Sequence, residues 1–264
     1  MGLFPYFKSR RSFHSPVLVV DALGFAQKII ECDALKLQQL ADRLGEDYLR
    51  FRMAVPHRLA ITLGRRLWGT PEFTTFRLND MFVVFSRMPK DDFVLRYLVT
   101  GSIVFQSLLA AGFIPRGGLG WGLLHARSDA LIGAGFVDAY ATAEKRSGEV
   151  RDICAVQLSK AFLAHVPRSA HVQRLLCFYR GAFFINPIAL VDPDRGKFDR
   201  QRILNCLEAA GANRQKLVAT ESFLHDFEDY EAAAAPQSKS RRWVRDQMSR
   251  PPKTDTTPPD SGRS

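Results

Sequence analysis

Apolar positions come in blocks whose spacing changes along the chain. Val17-Leu18-Val19-Val20 is a continuous, valine-rich run closed by Asp21, and such a run reads as a strand buried on both faces. Ala22-Leu23-Gly24-Phe25 turns it into a helical pattern that continues through Ile29 and Ile30 and resumes from Leu35 to Phe51. Thr74–Arg77 and Met81–Phe85 predict the two strands of a hairpin about Leu78-Asn79-Asp80. Asp91 or Asp92 is placed to cap a long apolar helix that runs to about Ala111 and stops at Gly112.

The next block, Ile114 to Leu124, predicts a strand in which Gly118, Gly120 and Gly122 recur at period two. One face of that strand is therefore bare, so a helix or a ligand can approach its backbone closely. A helix from about Ala134 to Lys145 follows, then a strand at Ile153–Val156 and a further strand or hairpin from Cys177 to Ile185. Residues from Asp199 to Ala234 read as helical, with apolar positions at Ile203, Leu207, Leu217, Leu224 and Phe227. The order β-α-β-β-α-β-α-β predicts an α/β (α+β) sandwich on a mixed sheet, with no internal repeat. After Pro236 the chain is rich in Pro, Ser, Thr and Arg and nearly free of apolar residues, the composition of a disordered tail. The expected organisation is an N-terminal segment (1–15), a main domain (16–190), a helical extension (198–235) and the tail (236–264).

Composition narrows the class. With 46% hydrophobic and 24% charged residues, the chain is too apolar for a disordered protein and too charged for a multi-span membrane protein. No apolar run approaches the ~20 residues that cross a bilayer, and Met1 to Arg11 lacks the apolar core of a secretion signal. Cys32, Cys154, Cys177 and Cys206 lie far apart with no CxxC pair, which disfavours a disulfide framework or cysteine zinc site and makes a reducing, cytoplasmic setting the expectation. The net charge of +10 is concentrated at the end: seven Lys/Arg against three Asp put +4 into the last 30 residues. The remainder suits an anionic ligand but does not require nucleic acid.

Two carboxylates stand out. Asp21 closes the first strand and Asp80 sits in the turn of the next hairpin, and a β-α-β-β sheet can place these points side by side. Two carboxylates a few ångströms apart repel unless a cation lies between them, and Mg²⁺ or Mn²⁺ prefers such oxygen ligands. A pair of such ions can hold a triphosphate, activate a ribose hydroxyl and stabilise leaving pyrophosphate. Taken singly, Asp21 reads equally as a helix cap and Asp80 as a turn residue. The six histidines show no HExxH or paired ligand spacing, and P-loop, dinucleotide-binding and GxSxG motifs are absent from the sequence. Arg241-Arg242-Trp243-Val244-Arg245 could touch RNA or an acidic partner, but reads first as a solubilising tail.

Four blocks in order carry a family resemblance. Val20-Asp21-Ala22-Leu23-Gly24-Phe25 resembles the first strand–turn of class III nucleotide cyclases, and Asn79-Asp80-Met81-Phe82-Val83-Val84-Phe85-Ser86 their second metal-Asp hairpin. Arg116-Gly117-Gly118-Leu119-Gly120-Trp121-Gly122 resembles the later glycine-rich strand. Leu131–Gly135 with Ala139–Glu144 is most similar to the bacterial Pycsar pyrimidine cyclases of anti-phage defence. The resemblance spans about Val17 to Pro187 and implies a βαββαβ, ferredoxin-like cyclase core. It implies that Asp21, Asp80 and the backbone carbonyl of Ala22 bind two Mn²⁺ or Mg²⁺ ions. Gly24 and Phe25 would receive the triphosphate, Arg116 would lie near the phosphates or a dimer interface, and Phe13 would help shape the base pocket. The implied partners are a pyrimidine triphosphate (UTP ahead of CTP), a second copy of the chain sharing the active sites, and a separate effector that reads the cyclic product. An Asn and, four residues on, an Arg are common on the helix after the glycine-rich strand of that family; here Val137 and Ala141, or with a one-residue shift Asp138 and Thr142, stand there instead. Arg116, Lys145 or Arg146 is left to supply the positive charge. A purine cyclase and a catalytically inactive nucleotide- or nucleic-acid-binding relative are the alternatives.

Overall fold

The computed structural model describes residues 12–30, 32–36, 38–39, 42, 73–78, 80–87, 89, 92–127, 130–192 and 196–232. Of the helical pattern resumed from Leu35 to Phe51, residues 35–36, 38–39 and 42 are described and helical; the rest of it, Asn79, Asp91 and the tail after Pro236 lie outside the described residues. A long strand, β1 (Phe13–Leu23), runs through the middle of the sheet and leads through Gly24 into the short helix α1 (Phe25–Ile30). The hairpin β2 (Thr74–Leu78) and β3 (Met81–Phe85) follows, then helix α2 (Phe93–Ala110) and strand β4 (Ile114–Ala126). These elements make up the βαββαβ order expected.

Strand β5 (Leu131–Ile132) and helix α3 (Ala134–Glu144) come next, then β6 (Val156–Leu158), α4 (Lys160–Leu163) and α5 (Ala170–Arg174). A second hairpin, β7 (Leu176–Tyr179) and β8 (Ala182–Ile185), is followed by the small ribbon β9 (Val191–Asp192) and β10 (Gly196–Lys197) and by helices α6 (Arg200–Ala209) and α7 (Arg214–Ala232). The main sheet has the order β2-β3-β1-β4-β6-β8-β7, with β5 paired to β4 beside that path. Its pairs are antiparallel except β4–β6, which is parallel. The protein is therefore an α/β fold on a mixed sheet.

β1 is buried on both faces because helices cover both. Leu18, Val20 and Ala22 enter the large core beneath α2, whereas Val17 and Val19 enter a smaller cluster on the α3 side with Val83, Phe85 and Ala139. Helix α2 has the length expected and, at 18 residues, is apolar enough by length and composition to cross a membrane; 83% of it is buried inside the fold. It stops as expected: Gly112 takes φ +81° and the Phe113 amide returns to the Leu108 carbonyl. Asp92 stands before α2 but makes no side-chain cap; its carboxylate takes the Nε–H of Arg96 at 2.6 Å instead. The strand expected at Ile153–Val156 forms at Val156–Leu158; the Ile153 carbonyl goes to the Arg146 side chain, and that of Ala155 takes both Arg146 and the Gly117 amide of β4. Helices α6 and α7 bury Ile203, Leu207, Phe223 and Leu224 in the same core as α2, and Phe223 packs edge-on against Tyr179 at 5.6 Å.

The glycine stripe of β4 admits a helix. A Cβ on Gly118 would fall 2.1 Å from the Ala139 carbonyl oxygen, one on Gly120 would fall 2.5 Å from the Ala139 nitrogen, and one on Gly122 would fall 2.7 Å from the Gly135 nitrogen. Helix α3 thus rests backbone to backbone on β4, and every Cβ in the stripe would push it off.

Candidate functional site

Period two along β1 sends Asp21 to the same face as Val17 and Val19, the α3 side, at the strand's carboxyl end. Directly across the β1–β4 pair stands Arg116, in register with Asp21, just as Gly118 is in register with Val19 and Gly120 with Val17. Residues opposite in an antiparallel pair have Cβ atoms about 5 Å apart on one face, so a carboxylate and a guanidinium share this corner. On the other flank the Ala22 amide donates to the main-chain oxygen of Asp80 at 2.9 Å. The hairpin turn is thereby tied to the end of β1, bringing together the two aspartates that are 59 positions apart in sequence.

A third carboxylate joins them. Glu144, the last residue of α3, accepts from Arg116 Nη2 at 2.5 Å. The electrostatics register the crowding: Asp21 is pushed up to about 6 from an ordinary 3.8, first by burial, then by the carboxylates of Asp80 and Glu144. Arg116 and the Ala22 amide oppose the shift without cancelling it. Three carboxylates against one guanidinium leave the corner net negative, with hard oxygen donors that suit Mg²⁺ or Mn²⁺. Among the described residues no three acidic, His or Cys side chains converge on one point as a ready-made metal cluster; the donors that fit a cation are the Asp21 and Asp80 carboxylates, supplemented by main-chain oxygen.

The other residues singled out in the sequence fall in different places. Gly24 turns the chain with φ +82° in open space, while the Phe25 ring is buried against Phe113, with centroids 5.5 Å apart. Phe25 therefore anchors the six-residue α1 to the core and leaves only its backbone near the turn. Phe13 lies at the opposite end of β1, about 26 Å from Asp21 at the rise of a strand; it stacks on Phe85 and lies beneath the Arg87 guanidinium. The same chain does not bring Phe13 to the Asp21 corner.

The three cations considered as the source of positive charge separate clearly. Lys145 is exposed. Arg146 is buried and donates to the carbonyls of Gly117, Ile153 and Ala155 at 2.5–2.8 Å, with a longer bond from Nε to Thr142. Burial, followed by repulsion from Arg116, lowers it to about 9. Arg146 is a structural pin, and of the three only Arg116 stands in register with Asp21. On α3, Asp138 turns inward and accepts from the Trp121 amide and the Ser159 hydroxyl, and Thr142 bonds back to the Asp138 carbonyl. Val137 points to solvent. Sequence reasoning assigned no role to Glu144; a lone acid at a helix end carries no signal until the fold sets it against Arg116.

No family model matches the chain, and no curated protein matches its sequence. Among solved structures, a class III adenylyl cyclase-like ATP-binding protein from Pseudomonas aeruginosa aligns with TM-score 0.40 and 11% identity, over 74% of this chain and 40% of that one. The chain thus spans two fifths of that protein's length. A likeness so distant leaves the chemistry to be read from Asp21, Asp80, Arg116 and Glu144 themselves.

Proposed function

We propose that this chain is a cytoplasmic, divalent-cation-dependent nucleotide cyclase that converts a pyrimidine ribonucleoside triphosphate, UTP ahead of CTP, to the 3′,5′-cyclic nucleotide. The 3′-oxygen forms a bond to the α-phosphorus, the bond to the bridging oxygen breaks, pyrophosphate leaves, and the hydroxyl proton passes to solvent. The observation that carries this reading is the corner itself: Asp21 and Asp80 tied together at the end of β1, with Arg116 across the strand pair. Mn²⁺ or Mg²⁺ held there would neutralise the carboxylates and the triphosphate and ease loss of the 3′ proton. Asp21 and Asp80 bind and orient, the Gly24 turn leaves backbone room beside them, and Arg116 offers donors to phosphate oxygens. The pyrimidine preference, the effector that reads the product and the role in phage defence come from the sequence resemblance, as does the pairing of two ions per site.

Incubation of the purified chain with each of the four ribonucleoside triphosphates and Mn²⁺, with products resolved by mass spectrometry, tests the reading. Cyclic UMP or CMP is expected. Cyclic AMP or GMP would keep the reaction and overturn the substrate. One observation favours a second reading, a nucleotide-binding relative without turnover: Arg116 is paired with Glu144, Arg146 is locked among carbonyls, and Val137 and Ala141 occupy positions where a polar pair is common. Tight nucleotide binding with no cyclic product from any substrate would establish it.

The homodimer in this proposal draws support from an apolar patch around α3. Ile132 and Val137 are each 62% exposed, with Leu123 and Tyr140 also open and Tyr140 stacked on Phe136. No charged side chain other than the inward Asp138 interrupts α3 before Glu144. Val137→Glu is expected to shift the sedimentation coefficient from dimer to monomer while the circular dichroism spectrum stays that of the folded chain, since Val137 is 62% exposed. A wild-type chain that sediments as a monomer at tens of micromolar would remove the dimer.

A further inference from the structure

We propose that Glu144 is the positioning residue for Arg116: its carboxylate holds the guanidinium clear of Asp21 and presents it to the phosphates of a bound nucleoside triphosphate. The proposal rests on the cyclase reading above and extends it to a residue that reading does not use. Arg116 and Asp21 face each other across the β1–β4 pair. A flexible cation left alone there would fold onto the nearest carboxylate, neutralise it and be lost to the ligand. It does not, because Nη2 is bound to Glu144 Oε2, in a pair whose side chains are only 17% and 28% exposed.

The place of Glu144 is set from three directions. Helix α3 sits backbone to backbone on Gly118 and Gly120 of β4, the strand that carries Arg116. The Lys145 amide closes the helix on the Ala141 carbonyl at 2.8 Å. Two residues beyond Glu144, Arg146 binds the carbonyl of Gly117, the neighbour of Arg116. Helix end and strand are thus clamped to each other at the point where the ion pair forms. The bond engages one nitrogen of the guanidinium, Nη2, and Arg116 Nε is buried without a partner. A planar fork tethered at Nη2 with Nε enclosed has its remaining nitrogen, Nη1, to offer to phosphate oxygens.

Binding of non-cyclisable α,β-methylene triphosphates of uridine, cytidine, adenosine and guanosine, compared with the matching monophosphates, tests the assignment by calorimetry in the presence of Mn²⁺. Glu144→Ala is expected to weaken the triphosphate that wild type prefers by about tenfold, the scale of one charge-assisted hydrogen bond, and to leave the monophosphate within about twofold. Glu144→Gln, which can still accept from Nη2, should recover most of the loss. Arg116→Ala should lose as much, and Arg116→Ala/Glu144→Ala no more than either alone. Equal affinity of wild type and Glu144→Ala for the triphosphate overturns the assignment while leaving the cyclase reading intact. Equal weakening of triphosphate and monophosphate overturns it too, by showing a purely structural role. Failure of wild type to bind any of the four analogues overturns the cyclase reading and this assignment with it.

Discussion

Asparagine at position 21 is expected to abolish turnover and, in metal-free protein at pH 8, to raise the melting temperature. The two effects have one cause. Asp21 is crowded by burial and by Asp80 and Glu144, so its folded-state pKa of about 6 lies above the ordinary 3.8. Between those values the folded chain keeps a proton that the unfolded chain has released. Stability from this group is therefore complete below about pH 4 and is lost as pH rises through 6. Above pH 6 the folded protein carries an anion it would rather not hold, and Asp21→Asn removes it. The gain in melting temperature should grow from pH 4 to pH 7, then level off. Mn²⁺ should raise the melting temperature of wild type at pH 8 and leave that of Asp21→Asn nearly unchanged, because a cation stabilises only the fold that binds it. Activity should fall by about 10³-fold or more in Asp21→Asn and in Asp80→Asn, the loss expected when charge stabilisation at the reacting phosphate disappears. Cyclase activity retained in both variants would end the two-aspartate proposal; a pH-independent gain would show that crowding is not what shifts Asp21.

Arg146→Met is expected to produce the largest loss of stability of any single change near the site. The guanidinium is buried and satisfies the carbonyls of Gly117, Ile153 and Ala155. Methionine supplies an apolar stem but none of the donors: the carbonyls of Gly117 and Ile153 lose their Arg146 bonds in a dry interior, while that of Ala155 keeps the Gly117 amide at 3.1 Å. Each acceptor that loses its donor costs about 1–3 kcal/mol, and partial relaxation brings the sum to about 2–5 kcal/mol. For a domain of this size that is a fall of about 10 °C in melting temperature, or a matching shift in the urea midpoint. Arg146→Lys should recover little, since one ammonium cannot span the carbonyls of Gly117, Ile153 and Ala155. Arg116→Met is the control: it too removes a guanidinium, but one bound to a single side chain, Glu144, and to none of the main-chain carbonyls. Arg146→Lys melting with wild type would refute the role of the carbonyl cage.

The framework of the fold was legible because its signals are local. The Val17–Asp21 run, the hairpin around Asp80, the stop at Gly112 and the period-two glycines each declare themselves within a dozen residues. The glycine stripe left helix and ligand open as alternatives, and only the packing of Ala139 and Gly135 decides for the helix. The partners at the site were hidden because they depend on register and long-range packing. Glu144 meets Arg116 across 28 positions, and Arg146 looked like an available cation because nothing in Glu144-Lys145-Arg146 shows which of them turns inward. Asp92 shows the same limit: a carboxylate ahead of a helix can cap it or bind a basic residue one turn on, and Arg96 wins.

Most helices ride on a sheet through a layer of side chains, which acts as a compliant washer: rotamers shift, and the helix rolls or slides by fractions of an ångström at small cost. Between β4 and α3 that layer is missing at Gly118, Gly120 and Gly122. The joint is stiff, closer to a weld than a bearing. The helix and the strand are therefore expected to move as one piece, carrying Glu144 and Arg116 together.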